Sequence, residues 1–240
     1  MILASCCSVD LKENYQKSNS YGFDPCKGIE LIKSTATYSN GKVNHDVTVY
    51  GTGFVTDSTD NKFYMLSAGH VVDFPEELYG FKLKDVSYSL TDGTKLEMIV
   101  SNYSYIMDYS LLTGKGKREE AAVIGDSSLI KKGTKVFVCG YPLTVTKNYT
   151  EGIVTSENID APVLPELKTD SVFMFSTPIS PGNSGSPVCA VSYGKPYVVG
   201  IAVANFTRGQ SLNLAVKINE VMKDIKNKLK QEEQNEKEED

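Results

Sequence analysis

The sequence predicts an all-β protein built as two six-stranded antiparallel β-barrels with a C-terminal α-helix. Three observations carry that expectation. Short runs rich in Val, Ile, Thr, Tyr and Phe recur along the chain, bounded by Asp, Asn, Gly and Ser, which is the signal of strands joined by tight turns. A polar interruption, Lys115 to Gly125, divides these runs into two series of about six, and repeated short strands without intervening helices argue for barrels or sandwiches. Helical periodicity is confined to the final segment, where one face is apolar.

Taken in order, residues 1–28 are polar and mixed, and are expected to form a flexible leader. Residues 29–114 form the first expected barrel. Within it, Val47–Thr56 and Phe63–Ser67 flank the polar cluster Asp57–Asn61, a hairpin pattern. Val86–Leu90 and Lys95–Val100 flank Thr91-Asp-Gly93, and Tyr105–Leu112 comes next. Residues 115–125 are the expected linker. Residues 126–217 form the second barrel, with strands at Lys135–Cys139, Asn148–Ser156, Ser171–Ser176, Pro187–Ser192, Tyr197–Ala204 and Ser211–Val216. Within residues 218–231, Ile218, Met222, Ile225 and Leu229, with Val221 beside them, predict a helix over about Asn219–Gln231 that docks on the second barrel. Residues 232–240 are expected to be an acidic, disordered tail.

The bulk numbers narrow the function classes. At 240 residues, with 40% apolar and 23% charged residues, the chain has the composition of an ordinary globular protein. No apolar run is long enough to cross a membrane as a helix. The net charge is −5, and Gln231–Asp240, with six acids and one lysine, account for all of it. The near-neutral body offers no basic stripe, so nucleic-acid binding is not expected. The five cysteines are Cys6, Cys7, Cys26, Cys139 and Cys189. With no CxxC pair and two histidines, no metal site is expected. Cys139 and Cys189 sit in apolar strand-like runs; buried thiols are the plain expectation, with a disulfide between them the alternative. Leu3-Ala4-Ser5-Cys6 resembles a bacterial lipobox, which would put a lipid anchor on Cys6 and the protein outside the cytoplasm. No basic and apolar signal segment precedes it. Without the anchor, a cytoplasmic location is the expectation.

A serine hydroxyl is a weak nucleophile that needs an imidazole to take its proton, a carboxylate to orient that imidazole, and N–H donors for the developing oxyanion. Ser180-Pro-Gly-Asn-Ser-Gly-Ser-Pro187 holds Ser184 between Gly182 and Gly185, where the backbone can curl so that the Gly182 and Ser184 amides point inward. Leu66-Ser-Ala-Gly-His-Val-Val-Asp73 sets His70 just after a strand, among small residues. The other histidine, His45, lies in a polar loop and reads as a surface residue. Ile106-Met-Asp-Tyr-Ser-Leu-Leu112 places Asp108 in an otherwise apolar run, where a charge needs a partner. Asp46, Asp57 and Asp73 compete for the role from more polar surroundings.

The order His70, Asp108, Ser184, with these flanks, resembles the trypsin-like serine proteases of the chymotrypsin fold, nearest to the compact HtrA/Deg-type and staphylococcal-type peptidases. The resemblance runs from about Gly28 to Lys230. Gly51-Thr-Gly-Phe-Val-Thr56 is similar to the strand before the histidine hairpin. Ser67-Ala-Gly-His70, Asp108-Tyr-Ser-Leu-Leu112 and Gly182-Asn-Ser-Gly185 match the three catalytic motifs. Val136–Pro142 and Glu151-Gly-Ile-Val154 resemble the start of the second barrel, and Gly200–Ala204 the strand lining the pocket for the residue before the scissile bond. The resemblance implies a serine endopeptidase acting on polypeptides through an acyl-enzyme, with the Gly182 and Ser184 amides as oxyanion hole and no cofactor. Pro178, Ile179, Val203, Ala204 and Asn205 would line the substrate pocket.

Departures from the family pattern refine the expectation. Val71 stands where many animal members carry a disulfide cysteine, which favours the bacterial or viral branch. Ser186 replaces a commoner glycine. The segment after Val216 is too short for a PDZ domain, so regulation of that kind is not expected. Pro178 takes the place of the pocket acid that selects Lys or Arg, and Ala202 that of the histidine in glutamyl-specific relatives, so a small or medium apolar residue is the expected preference. The alternatives are a catalytically silent binding module on the same fold and a phage or viral processing enzyme with one target.

Overall fold

The first half of the chain folds into strands whose inward side chains alternate with exposed ones. The computed structural model describes residues 24–104, 107–118, 120–161, 169–205 and 211–239. Its first sheet contains β1 (Ile29–Ser39), β2 (Asn44–Ser58), β3 (Lys62–Ser67), β4 (Glu77–Leu78), β5 (Phe81–Leu90), β6 (Lys95–Tyr103) and β7 (Asp108–Lys115). They lie in the order β1-β2-β3-β7-β6-β5-β4, and pairing of β1 with β5 closes six of them into a barrel, leaving β4 as a two-residue extension. Ile32, Val55, Phe63, Met65 and Leu112 are fully buried inside it. Each such side chain contributes about 1.5–3 kcal/mol relative to exposure.

The second half repeats the plan. Strands β8 (Lys135–Gly140), β9 (Asn148–Ser156), β10 (Val172–Phe175), β11 (Pro187–Ser192), β12 (Lys195–Asn205) and β13 (Asn213–Lys217) form a closed barrel in the order β10-β13-β12-β11-β8-β9. Val138, Val154, Phe173, Phe175 and Val188 fill it. A third cluster, including Phe54, Leu66, Tyr109 and Phe137, lies between the barrels and continues onto the C-terminal helix. Among the described residues, the two six-stranded barrels and one long helix are those the sequence predicts. β1 and the two-residue β4 are strands the apolar pattern does not single out; in β1 two of the inward positions are Ser34 and Ala36.

The helix α1 (Ile218–Glu239) differs from expectation twice. Val221, not Met222, faces inward with Ile218 and Ile225, while Met222 is 41% exposed. The helix also continues to Glu239 instead of giving way to a disordered tail after Gln231. Glu, Gln and Lys are strong helix formers, so a run of them extends a helix already nucleated by packing.

The cysteines differ as well. Cys26, expected in an unstructured leader, lies in a turn and is disulfide-bonded to Cys139, with Cα atoms 5.4 Å apart. Cys189 is a free, buried thiol. The β8–β11 register puts Cys189 opposite Phe137, so it lies diagonal to Cys139. That spacing is about 7–8 Å, at the limit of what a disulfide spans. Cys6 and the lipobox-like motif lie outside the described residues.

Candidate active site

At the end of β3 the chain makes a single tight turn, Gly69–Val71, that buries Val71 and Val72 and leaves the His70 ring partly exposed. Gly69 is required there, because a Cβ would come within 3.0 Å of both Asp108 Oδ1 and the Tyr109 carbonyl. Asp108 opens β7, opposite Tyr103 of β6, with its side chain only 10% exposed. Its carboxylate is used at both oxygens. Oδ1 accepts the His70 backbone N–H at 2.9 Å, and Oδ2 lies 2.6 Å from His70 Nδ1. An ionised carboxylate can only accept, so the Nδ1 proton is fixed on that side and Nε2 is left with a lone pair. Ser110 Oγ bonds the Ala68 carbonyl at 3.1 Å and ties the two loops together.

Ser184 is half-buried in a turn from the second barrel. Gly182 and Gly185 adopt φ of +95° and +88°, a conformation that needs glycine. Within the turn Asn183 N–H donates to Ser180 O and Ser186 N–H to Asn183 O, while Gly185 N–H bonds Ala202 O on β12. Among the described residues neither the Gly182 nor the Ser184 N–H is used by a protein acceptor. Two donors in one turn are thus left for a ligand oxygen.

The first barrel grips this turn directly. Thr52 of β2 donates its N–H to Ser184 O at 2.8 Å and its hydroxyl to Gly182 O at 2.7 Å, and it accepts the Tyr141 N–H at 3.1 Å. Ser67 Oγ bonds the Thr52 carbonyl at 2.8 Å. A Cβ on Gly185 would collide with that carbonyl and with Ser67, and would come within 2.8 Å of Ala68 N. Ser184 therefore packs against the hairpin that carries His70, although no hydrogen bond joins Ser184 Oγ to His70 among the described residues.

Residues 51–201 match the family model described as a trypsin-like peptidase domain. The chain belongs to the trypsin-like peptidase family. Among curated relatives it is 30% identical over 186 residues to a probable periplasmic serine endoprotease DegP-like of Pseudomonas fluorescens, covering 75% of this chain and 35% of the relative. It is 28% identical over 176 residues to serine protease Do-like HtrB of Bacillus subtilis, covering 70% and 36%. The chain thus spans about a third of the length of these two relatives. Among solved structures it resembles Deg5, with TM-score 0.60 and 19% identity over 88% of this chain and 93% of that one.

On this trypsin-like frame the expected pocket residues are less tightly grouped. Pro178 is exposed, with its carbonyl accepting the Thr150 hydroxyl at 3.0 Å, and Ile179 packs on the second-barrel core. Val203 sits at a register shift between β12 and β13 and touches the first-barrel core and the cluster between the barrels, while Ala204 is exposed. Such bulges re-aim side chains beside active sites. Asn205 ends β12 opposite Asn213. Three residues here escaped the sequence reading. Thr52 links the barrels with Ser67 bonded behind it, and buried Asn213 donates to the Phe175 and Thr177 carbonyls at 3.2 and 2.6 Å, fixing the strand end that leads to Pro178. A signal for Thr52 existed, since Gly51 and Gly53 flank it and strand glycines mark close backbone approach. His45 is exposed and meets Phe81 edge-on, away from the other site residues.

Proposed function

We propose that this chain is a serine endopeptidase in which His70, Asp108 and Ser184 act as a catalytic triad. The observation that carries the reading is the two-point bond between Asp108 and His70, which orients one imidazole with its free Nε2 as a base. Ser184 Oγ attacks the scissile carbonyl carbon as its proton passes to Nε2. The tetrahedral oxyanion is held by the unused Gly182 and Ser184 N–H groups. Collapse breaks the C–N bond, the departing amine takes the proton from His70, and an acyl ester remains on Ser184. Water then attacks the ester, again giving a proton to His70, which returns it to Ser184 Oγ. In this reading residues 29–114 supply the base and its carboxylate, residues 126–217 supply the nucleophile, and polypeptides are the substrate. A small or medium apolar residue before the scissile bond fits Val203 and Ala204 on the wall.

The Cys26–Cys139 disulfide supports an oxidising, extracytoplasmic location, since such bonds are rare in the reducing cytosol. The catalytic reading is tested by labelling with a fluorophosphonate. Labelling of the wild type that vanishes in Ser184→Ala supports an activated serine. A well-folded wild type that does not label would leave the triad silent and sink the proposal.

A further inference from the structure

The C-terminal helix joins the two barrels by hydrogen bonds as well as by packing. It follows β13 directly, and its start is fastened to the second half of the chain. There Asn219 Oδ1 accepts the Ser127 N–H at 3.1 Å and Asn219 Nδ2 donates to Asp126 Oδ1 at 2.7 Å. Little more than one turn further on, the same helix reaches the first barrel. Asp224 Oδ2 accepts the Tyr109 hydroxyl at 2.8 Å and the Asn102 side-chain amide at 2.9 Å, and Lys228 Nζ donates to the Ser101 carbonyl at 2.8 Å. All three bonds fall on one strand pair. In the β6–β7 register Ser101 lies opposite Ser110, Asn102 opposite Tyr109, and Tyr103 opposite Asp108.

The turn that bears His70 packs on the backbone of the same residues. A Cβ on Gly69 would collide with the Asn102 carbonyl and come within 3.0 Å of the Tyr109 carbonyl. Tyr103, next along β6, places its ring 6.0 Å from the His70 ring. Ser110, next along β7, bonds the Ala68 carbonyl at 3.1 Å. The helix thus holds Asn102 and Tyr109 by their side chains, while their backbone supports the His70 turn. For stability alone a polar contact is not required, because exchanging both partners of a buried bond for apolar groups of the same shape can be nearly neutral. What the bonds add is direction: burial is non-directional, whereas a hydrogen bond prefers angles above about 150°. Two donors converging on one carboxylate oxygen therefore fix where the ends of β6 and β7 lie relative to the helix. Thr52 ties the barrels together beside Ser184, and Asp224 ties them behind Asp108. Two separated ties set an angle that one tie leaves free.

We infer that Asp224 is a positioning residue for the reaction. From the helix of the second barrel it holds Asn102 and Tyr109, and through them the His70 turn and Asp108, where the base can serve Ser184. The inference rests on the triad reading above. Asp224 acts on no reacting atom directly; its effect passes through the β6–β7 pair.

The test compares Asp224→Ala, Asp224→Asn and Asn219→Ala with the wild type, each well below its melting temperature. Hydrolysis of N-acyl-alanine thiobenzyl ester gives kcat and KM, and the downfield proton resonance of His70 Nδ1–H reports its bond to Asp108 without any substrate. Asp224→Ala should lower kcat by about tenfold to hundredfold, the range reached when a remote change shifts catalytic groups by about 1 Å, with KM within about twofold of wild type. Its Nδ1–H resonance should move upfield or broaden beyond detection. Asp224→Asn keeps an oxygen for both donors and should hold kcat within about threefold of wild type. Asn219→Ala loosens the helix only on its second-barrel side and should change kcat less than about twofold. Tyr109→Phe, which keeps the packing and removes the hydroxyl, should lower kcat about fivefold, and an unchanged kcat there overturns the inference even if Asp224→Ala does not fold. An unchanged kcat or resonance in Asp224→Ala, a loss that Asn219→Ala shares, or one that persists in Asp224→Asn would each overturn it as well. A folded wild type with neither thioester turnover nor fluorophosphonate labelling overturns the triad reading, and this inference with it. Equal labelling rates in wild type and Asp224→Ala overturn this inference alone.

Discussion

Replacing Asp224 with alanine removes an acceptor that joins the C-terminal helix to the strand carrying Asp108. Asp224 Oδ2 accepts the Tyr109 hydroxyl at 2.8 Å and the Asn102 side-chain amide at 2.9 Å. Tyr109 is fully buried, so in Asp224→Ala its hydroxyl is left without a partner, at a cost of about 2 kcal/mol for a bond to a charged group. The Asn102 bond is partly exposed and adds about 1 kcal/mol. For a chain of this length the total corresponds to a fall in Tm of about 6–12 °C. In a Tyr109→Phe background the stranded hydroxyl is gone, and Asp224→Ala should cost only about 1 kcal/mol. Denaturant unfolding at neutral pH of the four proteins in the cycle measures the coupling. An Asp224→Ala cost that is the same in both backgrounds, or below about 0.5 kcal/mol in the wild type, would refute the assignment. Charge adds a pH signature. Burial pushes the Asp224 carboxyl up, but the Asn102 and Tyr109 hydrogen bonds and the Lys228 ammonium outweigh it and hold the group below the usual range. A depressed folded pKa contributes stability that is present above the unfolded value of about 3.9 and lost as pH falls through the folded pKa. The stability gap between wild type and Asp224→Asn should be full near neutral pH and close below about pH 4.

Asp108→Asn should keep the fold but present the wrong tautomer of His70, lowering kcat by about 10⁴-fold in steady-state assays; a loss under tenfold would contradict the role given to Asp108. Gly185→Ala should destabilise by at least about 3 kcal/mol, because a Cβ collides with Thr52 and Ser67 and φ is +88°, and thermal melting reads it directly. Cys26→Ser should cost about 2–5 kcal/mol and abolish the response of Tm to reductant, since the bond closes a loop with a sequence separation of 113. In the unreduced wild type, Cys189 should resist iodoacetamide at neutral pH, its thiol being buried and pushed up to about 12.

The candidate site's local geometry is legible in the sequence where its residues are conspicuous types in restrictive settings. Asp108 in an apolar run needed a partner, and Gly182 and Gly185 around Ser184 needed a turn with positive φ, which the backbone has. Strand positions were legible where β-branched and aromatic residues face inward, as in β3 and β8. β1 was hidden because Ser34 and Ala36 occupy inward places that volume and not hydrophobicity fills. The disulfide was hidden because pairing depends on where a turn near the start of the chain meets β8, which local composition does not encode. Thr52 stood out within a motif but not as a bridge, since its three partners, Gly182, Ser184 and Tyr141, come from the other barrel. The inward face of α1 was misjudged by one residue, Met222 for Val221, because both fit an apolar stripe and only the docking angle chooses between them.

The bond between Cys26 and Cys139 also has a topological meaning. Every strand from β1 to β7, and with them His70 and Asp108, lies on the arc between these two cysteines. The first barrel is therefore a closed covalent ring, threaded to the rest of the molecule only at Cys26 and Cys139. A single backbone cut anywhere on that arc opens the ring without releasing a fragment. The solvent-facing stretch around Lys117 can be clipped while the halves of the site remain physically tied. On a gel such a clipped molecule migrates near intact mass until reductant is added, and then separates into two pieces. Permuted versions with new ends in this stretch would likewise keep the histidine side and the serine side tethered as long as the ring stays oxidised.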